Sequence, residues 1–442
     1  MSRLSSFQNI QDDGSPNRIF VIGGGIVGTA LAFHLSKEIG GHRVILLDKC
    51  LKEPLGSTGH APGFVGQLNE SPILTRLAKD TVSEYLSVPG GFDRVGGLEL
   101  SSTTSGVETL FRRRDLAQSV GLPAETISPE VAVSLAPDFI DVDSVKMGLY
   151  FSSDGTANAQ AITSYYMKQA KAGGADFLEA TVSGFETKGG IEGDDVEIKS
   201  ILTTEGKIHT EGSTVILATG IWTQYLMKSA NGNDASLTKY PIPIVPVSHP
   251  YTFTPTRPPR PGKPYPFVRW LDHHVYARDH GDCDGLGSYD HSPLQIEPTQ
   301  TAIGSWPTGF NNVLSEACSH IKNGKYFLAD GEREDQGAAP RKRPFNGIFS
   351  VTPDNLPLAG KVTGTSNLWL SAAVWVTHAA GTAKFLTRQI LGEAGSYDAE
   401  DEDIGKALSP SRFEGSDPEK LKRAALSKYN DIYNRNLELR LD

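Results

Sequence analysis

A strand, a glycine-rich turn and a helix, read from residue 18 onward, leave this 442-residue chain few folds to choose from. Ile19, Phe20, Val21 and Ile22 form a short apolar run, the pattern of a strand buried on both faces. Gly23, Gly25 and Gly28 follow with G-x-G-x-x-G spacing. In a dinucleotide fold Gly23 makes the tight turn, Gly25 lets the backbone approach a pyrophosphate, and Gly28 lets the helix pack close on the sheet. The helix, beginning near Ile26, would turn its N-terminal N–H groups and positive dipole end toward the phosphates. Residues 44–47 make a second apolar run that ends in Asp48 and Lys49. A carboxylate at this distance from the glycines is placed to accept hydrogen bonds from a ribose diol.

The next segment discriminates between dinucleotides. Gly56-Ser57-Thr58-Gly59-His60-Ala61-Pro62-Gly63 is a loop of small residues, where backbone can pass close to a large flat ligand. One nucleophilic imidazole, His60, sits in its middle. A nicotinamide must leave after each turnover, whereas a flavin stays, and its 8α-methyl group can be attached to a histidine nitrogen. The loop therefore points to FAD.

Composition excludes several partners. Net charge is −10 and the pI about 5.6, which argues against a nucleic-acid partner or an anionic membrane surface. The most apolar stretch, residues 19–35, is interrupted by the glycines and His34, so no membrane span is expected. Residues 1–17 contain Asp12 and Asp13 and lack the apolar core of a secretory signal. Cys50, Cys283 and Cys318 have no metal-ligand spacing and are too few for a disulfide framework. No metal and a cytoplasmic location are the expectations.

Periodicity predicts helices over 71–86, 106–120 and 157–173, with another opened by Ser128 and Pro129. Residues 95–100 read as a strand entering a second domain, and 148–151 as the return to the first. A strand begins near Val182 and leads into a hairpin, and residues 215–220 form a third buried parallel strand ending at Ala218 and Gly220. Residues 244–253 and 268–278 alternate like half-exposed antiparallel strands that pair with each other across a proline-rich loop. Residues 282–290 read as a glycine-rich turn and 314–328 as a helix. A strand at 368–370 precedes Val374, Trp375, Val376 and Thr377, which open a final helix whose N-terminus would face the cofactor. The expected fold class is α/β (α+β), a Rossmann-like FAD-binding domain interleaved with an antiparallel-sheet substrate domain. Residues 17–97, 145–226 and 345–395 are assigned to the first, 98–144 and 227–344 to the second, and 396–442 to a C-terminal helical tail.

The 56–63 loop, its distance from the glycine motif, and the segments at 95–99, 246–251, 276–293, 346–360 and 375–381 resemble the dimethylglycine oxidase, dimethylglycine dehydrogenase and sarcosine dehydrogenase group. That group belongs to the D-amino-acid-oxidase-like flavoproteins. Arg412-Phe413 followed by residues 429–433 is similar to the connector after the family's oxidase domain. The resemblance implies a covalent flavin on His60 and an active-site pair made of His249 and Tyr276. It implies an FAD-dependent amine oxidase that converts an N-methyl amino acid, or a related secondary or tertiary amine, to an iminium, with O2 reduced to H2O2. An amine dehydrogenase serving a carrier protein, and a flavin-bearing binding partner without turnover, are the alternatives. The family's folate-binding domain has no counterpart in the sequence, so no folate partner is expected. Cofactor-binding candidates are Gly23, Gly25, Ile26, Gly28, Asp48, Lys49, Ser57, Thr58, Gly63, Val182, Ala218, Gly220, Trp222, Val374, Trp375, Val376 and Thr377. Arg278 and Arg269 are candidates for a substrate carboxylate, Arg278 because alternation puts it on the face of Tyr276. Tyr289 is expected to act through packing.

Overall fold

The computed structural model describes residues 17–189, 195–230, 237–298, 305–328, 341–392 and 399–430. Expectations at residues 1–16 and 431–433 lie outside these. Among the described residues, Ile19–Ile22, Val44–Asp48, Thr214–Leu217 and Leu368–Ala372 stack in parallel in one six-stranded sheet. Asp176–Glu179 extends it in parallel on one side, and Leu358–Lys361 closes the other edge antiparallel. The apolar runs are buried throughout because both faces are covered. Val21, Leu46 and Ile216 pack against the helices Ile26–Ile39, Ala159–Ala172 and Ala379–Leu391. Phe20, Ile45 and Val215 pack against the three-stranded antiparallel meander formed by Val182–Lys188, Glu197–Thr203 and Gly206–His209.

The second sheet has eight strands, in the order Phe345–Val351, Val245–Phe253, Asp284–Ser288, Val275–Asp279, Phe267–Trp270, Gly97–Ser101, Met147–Phe151 and Ala124–Ile127. All neighbours are antiparallel except Phe267–Trp270 with Gly97–Ser101. The fold is thus α/β with an interleaved, mainly antiparallel sheet. Two strands differ in position from the expectation: Met147–Phe151 and Phe345–Val351 pair in the eight-stranded sheet, not with the parallel one. Local sequence does not choose between the two sheets, and long-range pairing decides.

Three further expectations are corrected. Residues 244–253 and 268–278 do not pair with each other; Val245–Phe253 pairs with Asp284–Ser288 and Phe345–Val351. Val245–Phe253 is buried along its whole length, because the helix Phe310–Ser319 packs on the strand and the helix Pro418–Lys428 reaches its other face. Within 282–290, Asp284–Ser288 is a strand and not a turn. Its glycines make room for rings from neighbouring strands: a Cβ on Gly285 would lie 2.0 Å from the Tyr251 hydroxyl, and one on Gly287 2.3 Å from the Tyr276 hydroxyl. Finally, the expected 314–328 helix is the helix Phe310–Ser319 followed by a separate 3₁₀ turn, Gly324–Phe327.

Helix starts carry side-chain caps from Ser71, Thr103, Ser128, Asn158 and Asp417. In the C-terminal region, Ala399–Leu408 and Pro418–Lys428 are helical, and Arg412 binds Asp354 at 2.8 and 3.0 Å, fastening the tail to the body. Among the described residues no helix is long and apolar enough to cross a membrane. His378 is buried beside the start of Ala379–Leu391, and burial pushes it down to about 3 from an ordinary 6.5. The unfolded chain therefore binds a proton that the folded chain refuses, so this contribution to stability is full above the unfolded value and shrinks as pH falls toward the folded one. His378→Gln removes that titration. Its melting temperature should fall less than the parent's between about pH 7 and about pH 4 by calorimetry; parallel curves would refute the assignment.

Candidate active site

A cavity of about 530 Å³ opens where the C-terminal ends of the parallel strands face the eight-stranded sheet. Its parallel-sheet wall is built from the glycine turn. Gly23 has φ +112° and donates its N–H to the Leu47 carbonyl at 2.8 Å. A Cβ at Gly28 would lie 1.8 Å from the Gly23 oxygen, so only glycine lets the helix cross here. Gly24 N–H donates to Asp48 Oδ2 at 2.6 Å and Cys50 N–H to Asp48 Oδ1 at 2.8 Å. Each carboxylate oxygen keeps acceptor capacity for a further donor. Gly25 offers no side chain to cap the helix Ile26–Ile39, and the Ile26 N–H is met from outside by Thr58 Oγ1 at 3.1 Å. An open helix N-terminus facing the cavity, with a carboxylate beside it, fits the pyrophosphate and ribose of a dinucleotide.

The remaining candidates converge on the same space. Ser57, Thr58, Gly63, Val182, Ala218, Gly220, Val374, Trp375, Val376 and Thr377 line the cavity, as do Gly23, Gly25, Ile26 and Asp48. Lys49 and Trp222 also line it and form a cation–π pair, the ammonium 3.7 Å from the ring centroid. Gly28 packs behind the turn instead. The loop carrying His60 is held against the second sheet by Ser57 Oγ, which donates to the Ile348 carbonyl at 2.7 Å. His60 lines the cavity, and its Nδ1 lies 3.0 Å from the Gly56 carbonyl. A carbonyl only accepts, so Nδ1 carries a proton, and in the neutral ring the lone pair stands on Nε2.

The opposite wall holds His249, Tyr276, Arg269 and Tyr289. His249 is fully buried, and burial, followed by the neighbouring His291, holds its imidazole far below the ordinary range, so it is neutral near pH 7. Its Nε2 is hydrogen-bonded to the Tyr276 hydroxyl, which reaches it across Gly287 on the intervening strand. Its Nδ1 lies 2.6 Å from the Tyr429 hydroxyl. Sequence reasoning missed Tyr429, His291 and Asn430, which are far from His249 along the chain. Tyr289 also differs from expectation: it lines the cavity with its ring 4.5 Å from that of His249, so it belongs to the site wall.

The two arginines separate. Arg278 is not among the cavity residues; its Nη1 donates to the carbonyls of Pro62 and Ala157 beneath the His60 loop. Arg269 lines the cavity and stands directly across from Tyr276 in the strand register. Behind it lies a buried charge cluster. Glu99 is 3.8 Å from Arg269 and takes a two-pronged ion pair from Arg113 at 2.7 and 2.8 Å, while Arg113 also binds Glu70 at 3.2 Å. Asp154, buried nearby, is pushed up to about 7, chiefly by burial. Among the described residues no His, Cys, Asp and Glu side chains gather as metal ligands.

This arrangement agrees with a family relationship that covers most of the sequence. Residues 18–389 match the family described as FAD dependent oxidoreductase. The chain belongs to that family. The FAD dependent oxidoreductase is 26% identical over 410 residues to dimethylglycine dehydrogenase, mitochondrial, of Rattus norvegicus, covering 89% of this chain and 44% of the relative. It is 24% identical over 414 residues to 4-methylaminobutanoate oxidase (formaldehyde-forming) of Paenarthrobacter nicotinovorans, covering 90% and 46%. The chain thus spans less than half the length of these relatives. L-proline dehydrogenase from P. horikoshii has the same fold, with a TM-score of 0.73 at 23% identity over 90% of this chain and 98% of that one. FAD is therefore the cofactor of this oxidoreductase.

Gly63 tests how closely the loop is fitted. It has φ +80°, and a Cβ there would lie 2.1 Å from the Ala157 oxygen and 2.4 Å from Arg278 Nη1. Gly63→Ala should cost more than about 1 kcal/mol in urea unfolding and lower the FAD content of purified protein. Full retention of both would show that the loop can shift freely.

Proposed function

We propose that this chain is an FAD-dependent amine oxidase that acts on an N-methyl amino acid or a related secondary or tertiary amine. The observation that carries the reading is the hydrogen-bonded His249–Tyr276 pair on the cavity wall, with Arg269 directly across from Tyr276 in the register. Bound FAD would supply the two-electron acceptor for the C–H bond beside nitrogen. The protein must then hold the amine, remove its ammonium proton and exclude water. Tyr276 supplies a hydroxyl at the cavity and neutral His249 supports it. Arg269, on the cavity wall, offers a guanidinium for a carboxylate. The product iminium would hydrolyse to aldehyde and dealkylated amine.

Reoxidation by O2 to H2O2 is the preferred reading for the electrons. The rat relative is named a dehydrogenase and the bacterial one an oxidase across nearly the same span, which supports keeping transfer to a carrier protein as the second reading. Turnover sustained by air alone separates the two. Covalent attachment of FAD at His60 is supported by the Nε2 lone pair left by the bond from Nδ1 to Gly56. A cytoplasmic location is likewise proposed, on the three free cysteines.

Anaerobic mixing with a panel of N-methylated amino acids and larger amines should bleach the flavin for at least one member, and bleaching by none would sink the reading. Arg269→Met should weaken binding of carboxylate-bearing amines by roughly ten- to a hundredfold while leaving neutral amines nearly unaffected. Equal losses for both would mean that Arg269 acts through packing. Acid-precipitated protein should remain yellow, and His60→Ala should release its flavin on precipitation; a colourless parent precipitate excludes the covalent bond.

A further inference from the structure

The hydrogen bonds around His249 extend beyond the pair that faces the cavity. Tyr429, at the end of the helix Pro418–Lys428, is fully buried, and its hydroxyl lies 2.6 Å from His249 Nδ1 and 2.7 Å from His291 Nε2. His291 is half-buried, and its Nδ1 lies 2.9 Å from the Ser292 carbonyl. Asn430 fixes the segment by donating to the carbonyls of Tyr289 and His291 at 2.6 and 2.8 Å.

These contacts have one consistent assignment of protons when both imidazoles are neutral. The Ser292 carbonyl can only accept, so His291 carries its proton on Nδ1 and presents a lone pair at Nε2. That lone pair requires the Tyr429 proton, since two lone pairs 2.7 Å apart would repel. The Ser248 carbonyl, 3.2 Å from the Tyr429 oxygen, is the more distant acceptor. The Tyr429 oxygen then accepts from His249, which must carry its proton on Nδ1. His249 Nε2 is left to accept from the Tyr276 hydroxyl.

We propose that Tyr276, His249, Tyr429 and His291 form a one-directional hydrogen-bond relay, oriented by the Ser292 carbonyl, that makes the Tyr276 oxygen an acceptor toward the cavity and carries a proton from a bound ammonium group to the molecular edge at His291. The chain's polarity stands on the contacts alone; its use with an ammonium group rests on the function proposed above. The transfer balances without electrons or a co-reactant. The substrate N–H bond breaks as the Tyr276 oxygen gains the proton, and Tyr276 gives its own to His249 Nε2. His249 releases its Nδ1 proton to Tyr429, and Tyr429 gives its proton to His291 Nε2. His291, now charged beside exposed Asp290, loses one proton to water. Rings of Phe64, Tyr251, Tyr289, Phe349 and Phe310 also pack around this chain and bring no charge to it, while Arg269 stands across from Tyr276 in the register. Tyr429 and His291 are thus positioning residues that act through His249.

The experiment is nitrogen NMR of the FAD-loaded full chain carrying ¹⁵N-histidine, with His249→Gln and His291→Gln used to assign the two signals. Both histidines should show the Nδ1–H tautomer in the parent. An Nε2–H tautomer at either one overturns the relay, whatever the substrate proves to be. In Tyr429→Phe, His249 should shift toward Nε2–H, and anaerobic flavin reduction by an N-methyl amino acid should slow by roughly ten- to a hundredfold with a displaced pH profile. Unchanged tautomer, rate and profile together overturn it. If Tyr429→Phe does not fold, His291→Leu breaks the same chain at its outer end and carries the same expectations. Should no amine reduce the parent flavin, the proposed function fails, and the tautomers still decide the relay.

Discussion

The arrangement depends first on a backbone contact that excludes any side chain. The Gly23 carbonyl lies where a Cβ at Gly28 would stand, so the helix Ile26–Ile39 can cross the end of the strand Ile19–Ile22 at that distance only with glycine there. The approach aims an uncapped helix N-terminus at the cavity, and Asp48 ties the turn by accepting from Gly24. The rest of the cofactor wall follows in sequence. Thr58 binds the start of the helix, which fixes the His60 loop, and Ser57 binds that loop to the second sheet. A displacement at the glycine turn would therefore be transmitted to both walls of the cavity, because packed interiors deform little.

The second sheet solves a different problem. It must present polar groups from several strands to one enclosed space, although buried polar atoms are costly unless partnered. Glycines at 285 and 287 let Tyr251 and Tyr276 lie flat across the strand Asp284–Ser288, so the Tyr276 hydroxyl reaches a histidine two strands away. Tyr251 finds His280 at 2.8 Å in the same manner. Residues that looked like a turn by composition are thus the thin place in the sheet over which the His249 and Tyr276 side chains meet.

What could be read from the sequence follows from the range of the interactions involved. The glycine motif, the parallel strands and most helices are set by local periodicity, capping residues and turn chemistry, and all of these lie within a few positions of the elements that they specify. The fold class, and the candidates that line one cavity, were therefore legible. Strand membership was not: nothing local in Met147–Phe151 or Phe345–Val351 selects one sheet, and pairing over long separations decides their place. Arg278 shows a similar limit. Its alternation with Tyr276 is real, yet the 61–63 loop covers it and its guanidinium binds backbone carbonyls. The tail residue Tyr429 is 180 positions from His249, and no spacing rule connects the two.

The site divides neutral and charged groups between two sides of Tyr276. On one side stand phenols and imidazoles, all deeply or partly buried, in which burial lowers His249 and His291 and raises Tyr429, so each stays uncharged near neutral pH. Such a set can be enclosed at little electrostatic cost, because every member satisfies its neighbour by hydrogen bonding. On the other side, charge is concentrated around Arg269, Glu99, Arg113 and Glu70, where mutual ion pairs offset desolvation. Asp154, pushed up to about 7, adds a carboxyl whose negative charge is suppressed below that value. Tyr276 lies between the uncharged set and the Arg269 side chain, so the cavity wall meets its contents with neutral hydrogen-bonding groups on one side and a guanidinium on the other.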